Sequence, residues 1–213
     1  MPVLKKKYNL FSDERLMELL QKGDAAGQEA FDELYERYSR RMLFYFHRML
    51  GGDHEKAQDF LQELFLKIVE RPCLFNAEQR FRTWIYTVAH NMCKNEYRRL
   101  KISKIVEPAA DLEAIAPASV DEEEKMESAL DWKRFRAALF QELAKLDESH
   151  RATFILRHQD GFSIKEISEV LGCSEGTTKS RLFYTAQKLA GQLSAFHPNA
   201  NEPPPQKLTA NIR

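Results

Sequence analysis

The stretch Ser163 to Leu189 constrains this chain most. Ser163 with Glu166 three residues on is a capping box, in which each side chain satisfies a free N–H of the other residue. Ile164, Ile167, Val170 and Leu171 then form one apolar helical stripe. Gly172 stands where a first helix must end, and Ser174 can cap a second. After it Thr178, Leu182, Thr185 and Leu189 recur at intervals of four, three and four, the buried side of that second helix. Its opposite side carries Lys179, Ser180, Phe183, Tyr184 and Lys188, with Arg181 on the flank. This is the helix-turn-helix pattern, whose second helix lies in the major groove of DNA. Any helical hairpin with a solvated face meets the same pattern, so the rest of the chain must decide.

The chain has 213 residues, room for one large domain or two small ones. Its formal net charge is zero, but the charge is unevenly placed. Residues 1–100 hold 17 basic and 15 acidic side chains, residues 101–131 hold 3 and 9, and residues 132–213 hold 12 and 8. Two weakly basic blocks thus flank an acidic one. Cys73, Cys93 and Cys173 lie far apart, in no zinc spacing, which fits a reduced cytoplasmic protein. His90 and Cys93 form an HxxC pair with no second pair to complete a metal site. No apolar run reaches the length of a membrane span, so no membrane insertion is expected.

The first block reads as all-α. Ser12 or Asp13 can cap a short helix that Lys22-Gly23-Asp24 ends. A long helix follows, apolar along Phe31, Leu34, Tyr35, Tyr38, Met42, Leu43 and Phe46, and Gly51-Gly52 breaks it. Asp53 can cap a helix from His54 to Glu70 that buries Ala57, Leu61, Leu64 and Ile68 and leaves Asp59, Gln62 and Glu63 facing out. A last helix, Arg80 to Leu100, mixes Phe81, Trp84, Ile85 and Tyr86 with Arg80, Arg82, His90, Asn91, Lys94, Asn95, Arg98 and Arg99. Aromatics beside arginines suit single-stranded nucleic acid, with bases on rings and phosphates on cations. The same mixture also suits a core face beside a solvated one.

Residues 101–127, with Pro108, Pro117 and the run Asp121 to Glu124, have too few large apolar side chains to order themselves and read as a flexible acidic linker. Order resumes near Ser128. Leu130, Phe135, Ala138, Leu139, Leu143 and Leu146 mark one helix, Asp147 can cap the next, and Asp160-Gly161 stops it. The hairpin completes a four-helix domain ending near Leu193. The proline-rich residues 194–213 read as a disordered tail.

The arrangement resembles the extracytoplasmic-function sigma factors, the small specificity subunits of bacterial RNA polymerase. Asp59-Phe60-Leu61-Gln62-Glu63-Leu64-Phe65 looks like the family's polymerase-docking segment. Phe81-Arg82-Thr83-Trp84-Ile85-Tyr86 with Asn91 looks like its promoter-melting segment. Asp160-Gly161-Phe162-Ser163, then Glu166-Ile167-Ser168 and Gly176 to Leu182, look like its region 4. The resemblance implies region 2 over residues 12–100 and region 4 over residues 128–193. It implies core polymerase and promoter DNA as partners, control by an anti-sigma factor, no cofactor, and no catalysis. By position it gives polymerase docking to Asp59, Gln62, Glu63 and Phe65. It gives the minus-ten element to Arg82, Trp84, Tyr86, Asn91, Asn95 and Arg98, with Asn91 pocketing a flipped base. It gives the minus-thirty-five element to Thr177, Lys179, Ser180, Arg181, Phe183 and Tyr184. Lys179 is expected to read a base, and Arg181 and Thr177 to hold phosphates. Three positions depart from the family: Asp147 replaces a usual Pro, Tyr184 a common Arg, and Thr185 a usual Ala. The loss of that Arg removes a bidentate guanine reader.

Two other readings compete. A dimeric regulator would sense a ligand with its first block and bind an operator with its second, but no dimer seam appears. An enzyme would need a phosphate loop, an HExxH or a nucleophile elbow, and none is present. Asp59 and Glu63, one turn apart, are more simply a docking face than a metal site.

Overall fold

A computed structural model describes residues 8–106 and 126–196. Among these, eight α-helices form the fold and no strand occurs. They are α1 (Asp13–Lys22), α2 (Ala25–Met49), α3 (His54–Glu70), α4 (Phe81–Val106), α5 (Met126–Ala144), α6 (Glu148–His158), α7 (Ile164–Leu171) and α8 (Glu175–Gln192). Most of the expected acidic linker and of the tail lies outside the described residues. At the linker's start the helix continues: α4 runs to Val106, not to Leu100.

Local chemistry sets the helix starts. Ser12, Asp24, Asp53, Asp147, Ser163 and Ser174 each accept a bond from an N–H of the first turn they precede. The Ser163–Glu166 box is closed in both directions. The start of α4 has a distant partner instead: Glu14 on α1 accepts from the Phe81 N–H at 3.0 Å.

α2 is the central rod. Leu34, Tyr38, Met42, Tyr45, Phe46 and Met49 are buried along it, and α1, α3 and α4 pack around them. Arg37 fastens the incoming chain, donating to Asp13 at 2.7 Å and to the carbonyls of Tyr8, Asn9 and Phe11. On α4, Glu96 accepts from Arg99 at 2.8 Å and meets Lys56 of α3 at 2.5 Å. Arg99 and Lys56 hold the Glu96 carboxyl down at about 2, against an ordinary 4.5. The stabilisation is therefore present above pH 4.5 and is lost as pH falls toward 2. Because Arg99 is largely exposed, it amounts to ~2 kcal/mol. Glu96→Gln should lower the melting temperature at pH 7 and flatten its fall below pH 4.5, which thermal melts across pH will read.

The second block is not set apart from the first. Leu143, Leu146 and Leu189 make a small core of its own, with Leu139, Phe140 and Phe154 around it. On the other side of α6, in the turn after it and on α7, Ala152, Ile155, Leu156, Phe162, Ile167 and Val170 join the core of the first block. Arg151 is buried at this junction. It donates to the carbonyls of Leu143, Ala144 and Leu146, to the Met49 carbonyl at 2.7 Å and to the Tyr97 hydroxyl at 2.5 Å.

Candidate nucleic-acid and partner interface

The clearest functional face is on α8. Gly172 ends α7 at φ 61°, where a side chain is strained, and Ser174 restarts the chain as α8. Thr178, Thr185 and Leu189 are buried, and this pins the opposite face outward. Lys179, Ser180, Phe183 and Tyr184 are all exposed there. Phe183 and Tyr184 stay 65% and 61% exposed although large rings are normally covered. Thr177 sits in the first turn, its N–H held by Ser174. Arg181 leans sideways, with Nη1 3.6 Å from Cys173 Sγ.

α3 carries a second face. Asp59, Gln62, Glu63, Leu66 and Val69 are exposed and, with Phe31, line a shallow groove. Glu63 is paired with Lys67. Phe65, expected to dock with them, lines the same groove but is only 4% exposed. Its ring packs on Tyr35 at 4.7 Å and on Phe31 at 6.0 Å, so it supports the groove floor from within. The exposed apolar centre is Leu66, which the sequence reading did not single out.

α4 divides the six expected minus-ten residues between two faces. An α-helix turns about 100° per residue. Trp84, Asn91, Asn95 and Arg98 therefore share one stripe, and the last three are exposed along it. Trp84 is half-buried, packed edge-on against Phe75 at 5.3 Å. Arg82 and Tyr86 point to the other side. Tyr86 and Asn91, both given to the minus-ten element by the resemblance, do not share a face: two residues after Trp84, Tyr86 is carried almost half a turn away. It is 1% exposed, and its hydroxyl donates to Asp160 Oδ1 at 2.6 Å. Arg82 donates to the Asp160 carbonyl and lies 4.0 Å from the Phe162 ring centre. Gly161, at φ 67°, makes the turn that brings Phe162 inward.

The HxxC pair is also buried. Desolvation pushes the His90 imidazole down to about 4 and the Cys93 thiol up. At neutral pH the 3.6 Å approach of His90 to Glu148 is thus a contact of an uncharged ring. Among the described residues, no group of three or more His, Cys, Asp or Glu is placed to hold a metal, and no helix is long and apolar enough to cross a membrane.

Known proteins share this layout. The family model for Sigma-70 region 2 matches residues 34–102, and that for Sigma-70, region 4 matches residues 136–189. The RNA polymerase sigma-H factor of Pseudomonas aeruginosa is 32% identical over 176 residues, covering 80% of this chain and 88% of that protein. The ECF RNA polymerase sigma-E factor of Escherichia coli K12 is 31% identical over 179 residues, covering 81% and 89%. In fold, the chain is similar to the sigma factor RpoE in its complex with the anti-sigma factor NepR from Bartonella quintana. There the TM-score is 0.65 at 19% identity, over 76% of this chain and 96% of that one. It is similar also to CnrH in complex with the cytosolic domain of CnrY, with a TM-score of 0.61 at 22% identity, over 86% and 97%. The region 2 match spans α3 and most of α4, the region 4 match spans the helix-turn-helix, and on these matches the chain belongs to the extracytoplasmic-function sigma factors.

Proposed function

We propose that this chain binds core RNA polymerase and directs it to promoters, with region 4 over residues 128–193 and region 2 over residues 12–100. One observation carries the reading: two exposed polar faces suited to nucleic acid stand on two different helices, α8 and α4, while a third face on α3 is free for a protein. α8 reads the minus-thirty-five box through Lys179, Ser180, Phe183 and Tyr184, with Thr177 and Arg181 at the phosphates. The stripe of Trp84, Asn91, Asn95 and Arg98 takes the non-template strand of the opened minus-ten box. Asn91, exposed and uncharged, has donor and acceptor atoms for one base edge. Arg82 and Tyr86, on the opposite side of α4, become open to DNA once the second block moves off them. Residues 101–127 link the two regions, and residues 194–213 follow them as a tail. The work is done in the cytoplasm, where polymerase and promoters are. Relatives of this fold are bound to anti-sigma partners, and an anti-sigma factor holds this chain in the same way. The family is not an enzyme class.

The groove on α3 gives a direct test. Gln62 and Glu63 are exposed and Glu63 has only the surface partner Lys67, so replacing both with Ala should change stability by less than about 0.5 kcal/mol. The same pair should lose affinity for core polymerase, measured by competition with a labelled wild-type chain. Unchanged affinity would remove this groove as the docking site. Asn91→Ala should leave core binding intact, lower open-complex formation, and relax one position of the minus-ten box in a selection over randomised promoters.

A further inference from the structure

A small cleft at the junction of the two blocks is lined by Arg41, Phe44, Arg82, Gln159 and Asp160. α2 supplies Arg41 and Phe44, α4 supplies Arg82, and the turn after α6 supplies Gln159 and Asp160. The Asp160 carboxylate takes the Tyr86 hydroxyl, and the Phe162 ring meets Tyr86 edge-on at 4.8 Å, with Arg82 over its face. A negative group and a flat ring two residues apart thus sit among arginines and a tyrosine. A nucleotide of single-stranded DNA presents the same two parts to such a surface: its phosphate goes to the cations and its unstacked base to rings and guanidinium planes.

The fit of the chain's own segment is incomplete. Arg82 Nε, Gln159 Oε1 and Asp160 Oδ2 are all buried without a hydrogen-bond partner. Buried polar groups left in this state oppose the arrangement that buries them. Burial also raises the Asp160 carboxyl above its ordinary range despite the nearby arginines. A phosphate brings further acceptor oxygens within reach of Arg82 Nε. Departure of the segment returns Gln159 and Asp160 to water.

We propose that Arg41, Phe44, Arg82 and Tyr86 form a subsite for one nucleotide of single-stranded DNA, and that Asp160 to Phe162 occupies it in the closed chain. This rests on the assignment of the first block to the minus-ten element. The second block and the melted strand then compete for the Arg82–Tyr86 side of α4, while the Trp84–Arg98 stripe stays open. The apolar contacts of Ile155, Leu156 and Ile167 keep the free chain closed.

The test is fluorescence anisotropy of the full chain with a labelled single-stranded DNA of about twelve nucleotides and mixed sequence, at one fixed salt concentration. The double variant Asp160→Ala with Phe162→Leu should bind about tenfold more tightly than wild type, as expected for loss of a charged hydrogen bond on the competing segment. Adding Arg41→Ala to it should return most of that gain. If circular dichroism shows the double variant unfolded, Asp160→Ala alone, which keeps the Phe162 ring in place, carries the same comparison. No gain in affinity, or a gain untouched by Arg41→Ala, overturns the subsite. The wild-type chain is assayed in parallel with core polymerase for promoter opening. Normal opening beside no gain overturns the subsite alone, whereas no opening overturns the minus-ten assignment beneath it.

Discussion

Replacing Arg151 with Met is expected to cost about 3–5 kcal/mol, the largest single effect at any charged residue described here. Arg151 is 5% exposed, and no ion pair joins it to a carboxylate of the described residues. Its charge is met by carbonyls instead. Those of Leu143 and Ala144 are in the last turn of α5, and that of Met49 ends α2, so two helix C-termini turn their negative ends toward it. The Leu146 carbonyl and the Tyr97 hydroxyl complete the set. Methionine fills the space and donates nothing, leaving several buried acceptors bare. For a chain of this size the loss corresponds to roughly 10 °C in melting temperature. Because Met49 and Tyr97 belong to the first block and Leu143 to Leu146 to the second, the blocks should also hold each other less firmly. Urea unfolding will read the loss. Arg99→Met, at a largely exposed site, is the control and should shift the urea midpoint far less.

The second large effect is expected at Lys179. It is exposed, one turn beyond the cap at Ser174, with no ion-pair partner given to it by the described residues. The first turn of a recognition helix is the part that reaches base edges. Lys179→Ala should therefore cost roughly 1–3 kcal/mol, or about 5- to 150-fold in promoter affinity, and blur one position of the minus-thirty-five box. Arg181→Ala should behave differently. Its guanidinium leans back toward Cys173, off the central outer face, so it is placed for a phosphate. All sequences should weaken alike, and the salt slope should fall by about one. A selection over randomised upstream boxes separates the two outcomes. A Lys179→Ala chain with unchanged preference and uniformly lower affinity would reverse these roles.

The helix limits were largely readable from the sequence because they are local. Ser12, Asp53, Asp147, Ser163 and Ser174 act where their side chains reach the first free N–H groups, and no distant residue is needed to find them. The recognition face was readable for a similar reason. Once Thr178, Thr185 and Leu189 are buried, Lys179 and Phe183 have only one direction left. What was not readable is what each buried stripe packs against. Periodicity says that Ile155 and Ile167 face inward, but not that inward means the first block. The inward turn of Arg82 and Tyr86 follows from that packing, and so does the role of Arg151, which reads in sequence as one more solvated arginine. The family string gives Phe65 to docking but says nothing of its burial. Its neighbours Phe31 and Tyr35, more than a helix away in sequence, are what bury it. The end of α4 was misjudged because the prolines and acidic run that follow begin only after Val106.

The most direct measurement is reconstituted transcription. The purified chain is added to core bacterial RNA polymerase with a pool of randomised promoter templates, with no other specificity subunit present, and transcripts are sequenced. The expected result is initiation from a subset of templates sharing two separated boxes. Lys179→Ala should relax the upstream box only, and Asn91→Ala the downstream one only. Core polymerase that gains no promoter-dependent initiation on addition of the chain, or initiation that ignores both substitutions, would contradict the assignment of α8 and α4 to promoter recognition.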